Sequence, residues 1–130
     1  MNQSFIRPLL CGAVLAVWTA NANAQISGDA SDGEDVFTAN CGECHSVREG
    51  KDKRGPSLYG MYGAKAAQRP GFKYSDALLT SGLVWDAETL ARYLTDPRGA
   101  VPGSKMKFDG LADAQERADV IAYMATLGLP

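Results

Sequence analysis

Apolar positions recur at helical spacing in three stretches of this chain, and each stretch opens on a residue suited to capping. Near the C-terminus, Val120, Ile121, Met124 and Leu127 fall on one face of a helix. Asp113 with Glu116 marks its start and Gly128 its stop, which predicts a helix over 114–127. Asp86 is placed to cap a second helix over 87–95, and Pro97 ends it, because proline lacks the backbone donor and crowds the preceding turn. Ser31 and Glu34 have capping-box spacing and predict a first helix over 32–41 that buries Val36 and Phe37. A minor helical turn is expected over 75–80. The connections between these pieces are rich in Gly and Pro, and no stretch alternates well enough to argue for a sheet. There is no repeat and no second domain. The pattern describes an all-α domain with three main helices and much ordered loop.

The N-terminus changes the picture of where that domain begins. Residues 1–24 have the build of a secretory signal peptide: Arg7 supplies the positive end, 9–18 the apolar core, and Ala22-Asn23-Ala24 a small-residue cleavage site. Cleavage before Gln25 is expected, leaving 25–130 as the mature domain. The apolar run is shorter than an ordinary membrane span, which sets an uncleaved anchor behind a removed leader. Cys11 follows Leu10 within that run and reads as an ordinary apolar residue of the leader. An exported chain is periplasmic in a bacterium and permits disulfides. Only Cys41 and Cys44 remain after cleavage, however, and both are required by the motif discussed next.

Charge adds little about partners by itself. The chain has 13 Lys and Arg against 15 Asp and Glu, a formal net of −2, and nothing in that balance points to nucleic acid. The distribution is uneven. Asp29, Asp32, Glu34, Asp35 and Glu43 lie ahead of the first downstream base, whereas Lys51, Lys53, Lys65, Lys73, Lys105 and Lys107 come later. Both groups are explained by solvated surface. A sharper reading is a dipolar molecule with its lysines around one functional face.

Cys41-Gly42-Glu43-Cys44-His45 carries the chemistry. Cys-x-x-Cys followed at once by His is the pattern of covalent c-type haem attachment. Cysteines three apart on a helical turn project to one side and are placed to form thioethers to two haem vinyl groups. The next residue, His45, is delivered to the iron, and it is the one histidine of the chain. Two rivals are weaker. A structural zinc site needs four ligands, and the mature chain offers three good ones. A thioredoxin-like pair belongs after a strand, and nothing strand-like precedes Cys41.

Three mature methionines are candidates for the far side of the iron. Met124 is explained by the apolar stripe of the last helix, and Met61, beside Tyr59 and Tyr62, by gap filling. Met106 lies in Pro102-Gly103-Ser104-Lys105-Met106, a loop able to approach a flat group closely, and it is the favoured ligand.

With these residues in hand, the chain resembles the class I cytochromes c, both mitochondrial and allied bacterial periplasmic ones. The markers run in order through nearly the whole mature chain. They are Gly33 and Phe37, the haem motif, Gly55-Pro56-Ser57-Leu58-Tyr59-Gly60, Gly71-Phe72-Lys73-Tyr74-Ser75-Asp76-Ala77, Trp85, Glu88-Thr89-Leu90, Tyr93-Leu94, the Met106 loop, and Arg117 to Tyr123. The resemblance implies the class I cytochrome c fold around one haem c held by Cys41 and Cys44. It implies Gly33 and Phe37 crossing the last helix near Val120 and Tyr123, and a Pro56 carbonyl accepting from His45. It further implies Tyr74 and Trp85 at the inner haem propionate, and Tyr93 and Ser104 beside the Met106 ligand. Two positions depart from the family pattern. Ala64 replaces a common arginine near a propionate, and Leu78 an asparagine beside the methionine; their expected effects on potential oppose each other.

The function implied is a monomeric electron carrier rather than an enzyme, meeting membranes only through partner complexes. Redox proteins would dock on the basic face formed by Lys51, Lys53, Lys65, Lys73, Lys105 and Lys107. The alternative of another class is a gas- or peroxide-binding haem protein with a labile sixth ligand. A carrier dedicated to a single dehydrogenase is a further variant of the first reading.

Overall fold

The computed structural model describes residues 27–128, which carry helices α1 (Ala30–Asn40), α2 (Asp76–Leu79), α3 (Ala87–Thr95), α4 (Pro97–Ala100) and α5 (Ala114–Thr126). The expected leader over 1–24 and its cleavage site lie outside the described residues. Among the described residues, no helix is long and apolar enough to cross a membrane.

α1 begins earlier than the capping box suggests. Asp29, not Ser31, is the N-cap: its carboxylate accepts from the backbone N–H of Ser31 at 2.7 Å and of Asp32 at 3.3 Å. The choice is made by tertiary structure, because the Asp29 N–H itself donates to the Asp119 carboxylate of α5 at 2.7 Å. The helix ends at Asn40, with Cys41 as its C-cap. Phe37 is buried as expected, whereas Val36 is half-buried against the core.

α5 starts where the sequence places it, with Asp113 accepting from Gln115 and Glu116 N–H at 2.8 and 2.9 Å. It stops one residue before the expected end. Leu127 is the C-cap and Gly128 takes φ +84°, a left-handed conformation suited to glycine. Val120, Ile121 and Met124 are buried, and Leu127 packs against them.

α1 and α5 cross at Gly33. A Cβ there would run into the Asp119 carbonyl oxygen and lie 2.8 Å from the Tyr123 Cβ, so only glycine permits this approach. Phe37 and Tyr123 flank the crossing with ring centroids 5.6 Å apart.

α3 matches the expected 87–95, with the Asp86 carboxylate accepting from Thr89 N–H at 2.8 Å. Pro97 does more than end it. Asp96 caps α3 at one end and α4 at the other, accepting from Gly99 N–H at 2.9 Å, and Pro97 occupies the first turn of α4. Proline fits there because a first-turn N–H has no helical acceptor. The expected turn over 75–80 is α2, capped by Ser75. Among the described residues the strand-like features amount to an antiparallel pairing of Lys65 with Val84, supported by Ala66 N–H to Leu83 O at 2.8 Å and Trp85 N–H to Ala64 O at 2.9 Å. These ties set Trp85 into the core beside Leu90, Tyr93 and Leu94 of α3.

Candidate functional site

The haem motif forms the turn that leaves α1. His45 N–H donates to Cys41 O at 2.9 Å and Cys44 N–H to the same oxygen at 3.0 Å, which keeps both cysteines and the histidine on one tight coil. The two thiols are free, Cys41 buried and Cys44 half-buried. Burial, and then the nearby Cys44, push the Cys41 thiol up to about 11. Among the described residues no group of three or more His, Cys, Asp or Glu side chains is placed to hold a metal ion by itself.

His45 is fixed from both sides. Its Nδ1 lies 2.8 Å from the Pro56 carbonyl oxygen, so Nδ1–H donates there and Nε2 is the nitrogen left with a lone pair. Gly55 lies against the ring: an added Cβ would run into Cε1 and sit 2.6 Å from Nδ1. Burial lowers the histidine below its ordinary value, the Pro56 carbonyl opposes this, and the Lys53 charge adds to it. The neutral form is the one that ligates a metal. An open cavity of about 600 Å³ flanks His45 on the Lys51 and Lys53 side; neither Met106 nor Tyr93 lines it.

The Pro56 segment is held by residues to which the sequence assigned no role. Ser57 N–H donates to Asp52 at 2.8 Å, and Ser57 Oγ to Arg48 O at 2.6 Å. Arg69 donates through Nε to Ser57 O at 3.2 Å and through Nη2 to Tyr59 O at 3.0 Å. Asp52 and Arg69 belong to irregular loops, where no periodicity marks which side chain turns inward.

A second group gathers around Met106. The Tyr93 hydroxyl donates to Met106 Sδ at 3.4 Å. Burial raises the Tyr93 hydroxyl above its ordinary value, while the neighbouring Ser104 side chain works the other way. Ser104 Oγ is buried without any hydrogen-bond partner. Trp85 meets Tyr93 edge to face at 4.9 Å, whereas Tyr74 meets Phe72 the same way at 4.8 Å on the side of Arg69 and Asp52. Met106 and Met61 are half-buried, while Met124 is 3% exposed in the core, as its helical stripe requires. Among the described residues no side-chain hydrogen bond joins the His45 group to the Met106 group.

The fit to a haem is therefore chemical. Two adjacent thiols, an imidazole with Nε2 free, a thioether and an orphaned buried hydroxyl are what a covalently held, axially ligated macrocycle uses. A family model described as cytochrome c matches residues 30–128. The chain belongs to the cytochrome c family. Cytochrome c2 of Rhodomicrobium vannielii is 49% identical over 122 residues, covering 93% of this chain and 94% of the relative. Cytochrome c of Euglena viridis is 43% identical over 100 residues, covering 77% of this chain and 98% of the relative. Among solved structures, cytochrome cH from Methylobacterium extorquens superposes with a TM-score of 0.72 at 45% identity, covering 76% of this chain and 99% of that one. The cytochrome thus has the all-α class I fold, and members of its family carry one covalently attached haem c. These likenesses support a monohaem electron carrier working with redox protein partners.

Proposed function

We propose that the cytochrome is an exported single-electron shuttle whose haem iron is held by His45 and Met106, with thioethers at Cys41 and Cys44. The observation that carries this reading is the 2.8 Å contact between His45 Nδ1 and the Pro56 carbonyl, which leaves Nε2 as the nitrogen available to an iron. When bound, the haem supplies the iron that alternates between ferric and ferrous states. The protein's part is to hold the ligands still. Pro56 makes the histidine more electron-rich. Tyr93 draws density from the Met106 sulfur, and the thioether favours the ferrous state.

Tyr74 and Trp85 are assigned to the inner propionate, and the Ser104 hydroxyl to the Met106 side. The unpartnered Ser104 oxygen supports the latter. Iron held by both His45 and Met106 would leave no position for a substrate, which favours a carrier over an enzyme.

Lys51, Lys53, Lys65, Lys73, Lys105 and Lys107 are all exposed, and among the described residues none is in an ion pair. Lys53 also donates to Gly42 O of the haem motif at 2.5 Å, which places one cation at the thioether turn. These charges suit transient docking to acidic redox partners by a monomer. Cleavage after Ala24 and a periplasmic location complete the proposal.

Ligation is tested by the ferric absorption spectrum. The sulfur-to-iron charge-transfer band should vanish in Met106→Ala and persist in Met61→Ala. Retention of the band in Met106→Ala would move the sixth ligand elsewhere.

A further inference from the structure

The Pro56 carbonyl and the Ser57 N–H are opposite ends of one planar peptide unit. The carbonyl end meets His45 Nδ1 at 2.8 Å, and the N–H end donates to the Asp52 carboxylate at 2.8 Å. A carboxylate accepting from the N–H polarises the whole amide and makes its carbonyl oxygen a stronger acceptor. Asp52 is therefore connected to the imidazole through a single peptide group, although it never touches the ring.

Arg69 keeps this connection in register. Its guanidinium lies 3.7 Å from Asp52, with side-chain exposures of 19% for Arg69 and 32% for Asp52, so Arg69 is partly withdrawn from water while Asp52 keeps contact with it. The same guanidinium reaches Ser57 O and Tyr59 O at 3.2 and 3.0 Å, gripping two carbonyls just beyond Pro56. A planar fork does this, and an ammonium on a flexible stem does not. Ser57 is held at its N–H by Asp52, at its C=O by Arg69, and at its hydroxyl by the Arg48 carbonyl. These bonds converge on one residue. They fix the plane of the one peptide that orients the histidine.

We infer that Asp52 and Arg69 are positioning residues that tune the proximal histidine through the Pro56–Ser57 peptide. Asp52 strengthens the Nδ1–H···O=C bond, and Arg69 holds Asp52 and the strap in line. The inference rests on His45 being the iron ligand.

The experiment is proton NMR of the ferrous holoprotein, following the His45 Nδ1–H resonance, its exchange with water and the reduction potential. The ligation reading is checked first, in the unaltered protein. His45 ring protons without the large ring-current shifts of a haem ligand would sink that reading, whatever the variants do. Asp52→Asn should move the Nδ1–H resonance upfield, speed its exchange about tenfold and raise the potential, with the Val120 amide in α5 unchanged. Arg69→Lys keeps the charge but loses the fork, and it should also speed Nδ1–H exchange selectively. It gives a second reading should Asp52→Asn fail to fold. A potential that shifts while the Nδ1–H resonance and exchange stay put would mean a through-space charge effect and would overturn the inference. So would Nδ1–H exchange in Arg69→Lys equal to that of the unaltered protein. Acceleration shared equally by the Val120 amide would mean general loosening, with the same consequence.

Discussion

At the scale of residues, the cytochrome's chemistry depends on where protons are held. His45 donates its N–H to Pro56, and Tyr93 donates its hydroxyl hydrogen to Met106. Tyr74 has a measurable consequence. Burial raises its hydroxyl above the ordinary 10.0, the Arg69 N–H and charge lower it, and the Asp52 charge raises it again, with a net upward shift. A group whose folded value exceeds its unfolded value contributes stability that is full below the unfolded value. That contribution is lost as pH rises through the folded value. Urea unfolding midpoints should therefore fall above about pH 10, and the fall should be shallower in Tyr74→Phe. Identical alkaline slopes in the two proteins would remove Tyr74 from the account. The His45–Pro56 and Tyr93–Met106 contacts were legible in the sequence because these residues belong to a recognisable order of motifs. Asp52 and Arg69 were not, because their partners are backbone groups of other loops and carry no side-chain signature.

At the scale of elements, α1 and α5 form the frame behind the haem turn. Their approach depends on Gly33, where any side chain would meet the Asp119 backbone carbonyl. Backbone yields less than a flexible side chain, so Gly33→Ala should cost about 3 kcal/mol, the upper end of overpacking penalties. Chemical denaturation of the holoprotein measures this, and a loss within about 0.5 kcal/mol would mean that the crossing tolerates a Cβ. The helices themselves were legible wherever their caps are local: Asp86 and Asp113 do what their positions in the sequence imply. The start of α1 was not, because the buried Asp119 carboxylate fixes Asp29 from 90 positions away. α4 was hidden for a different reason. Pro97 ends one helix and suits the first turn of the next, and the sequence pattern displays only the first role.

At the scale of the whole molecule, charge is unevenly distributed along the chain. The acidic residues of α1, Asp32, Glu34 and Asp35, are exposed, as are the six lysines assigned to docking. The formal net charge of −2 conceals this separation. If partners approach through the lysines, association rates with an acidic redox protein should fall steeply with ionic strength, since the screening length shrinks from about 30 Å at 0.01 M salt to about 10 Å at 0.1 M. Stopped-flow electron transfer at several salt concentrations reads this, and rates independent of salt would remove the basic face from the proposal. Lys53 also bonds Gly42 O and bears on His45, so variants of Lys65 and Lys73 separate the docking claim from the ligation claim.

The proposed carrier requires protein ligands on both sides of the iron. Carbon monoxide addition to the ferrous holoprotein tests it most directly, because the gas needs a vacant or easily vacated position. The unaltered protein should keep its c-type spectrum, and Met106→Ala should show a rapid spectral shift. A rapid shift in the unaltered protein would contradict it and would favour a gas- or peroxide-binding role.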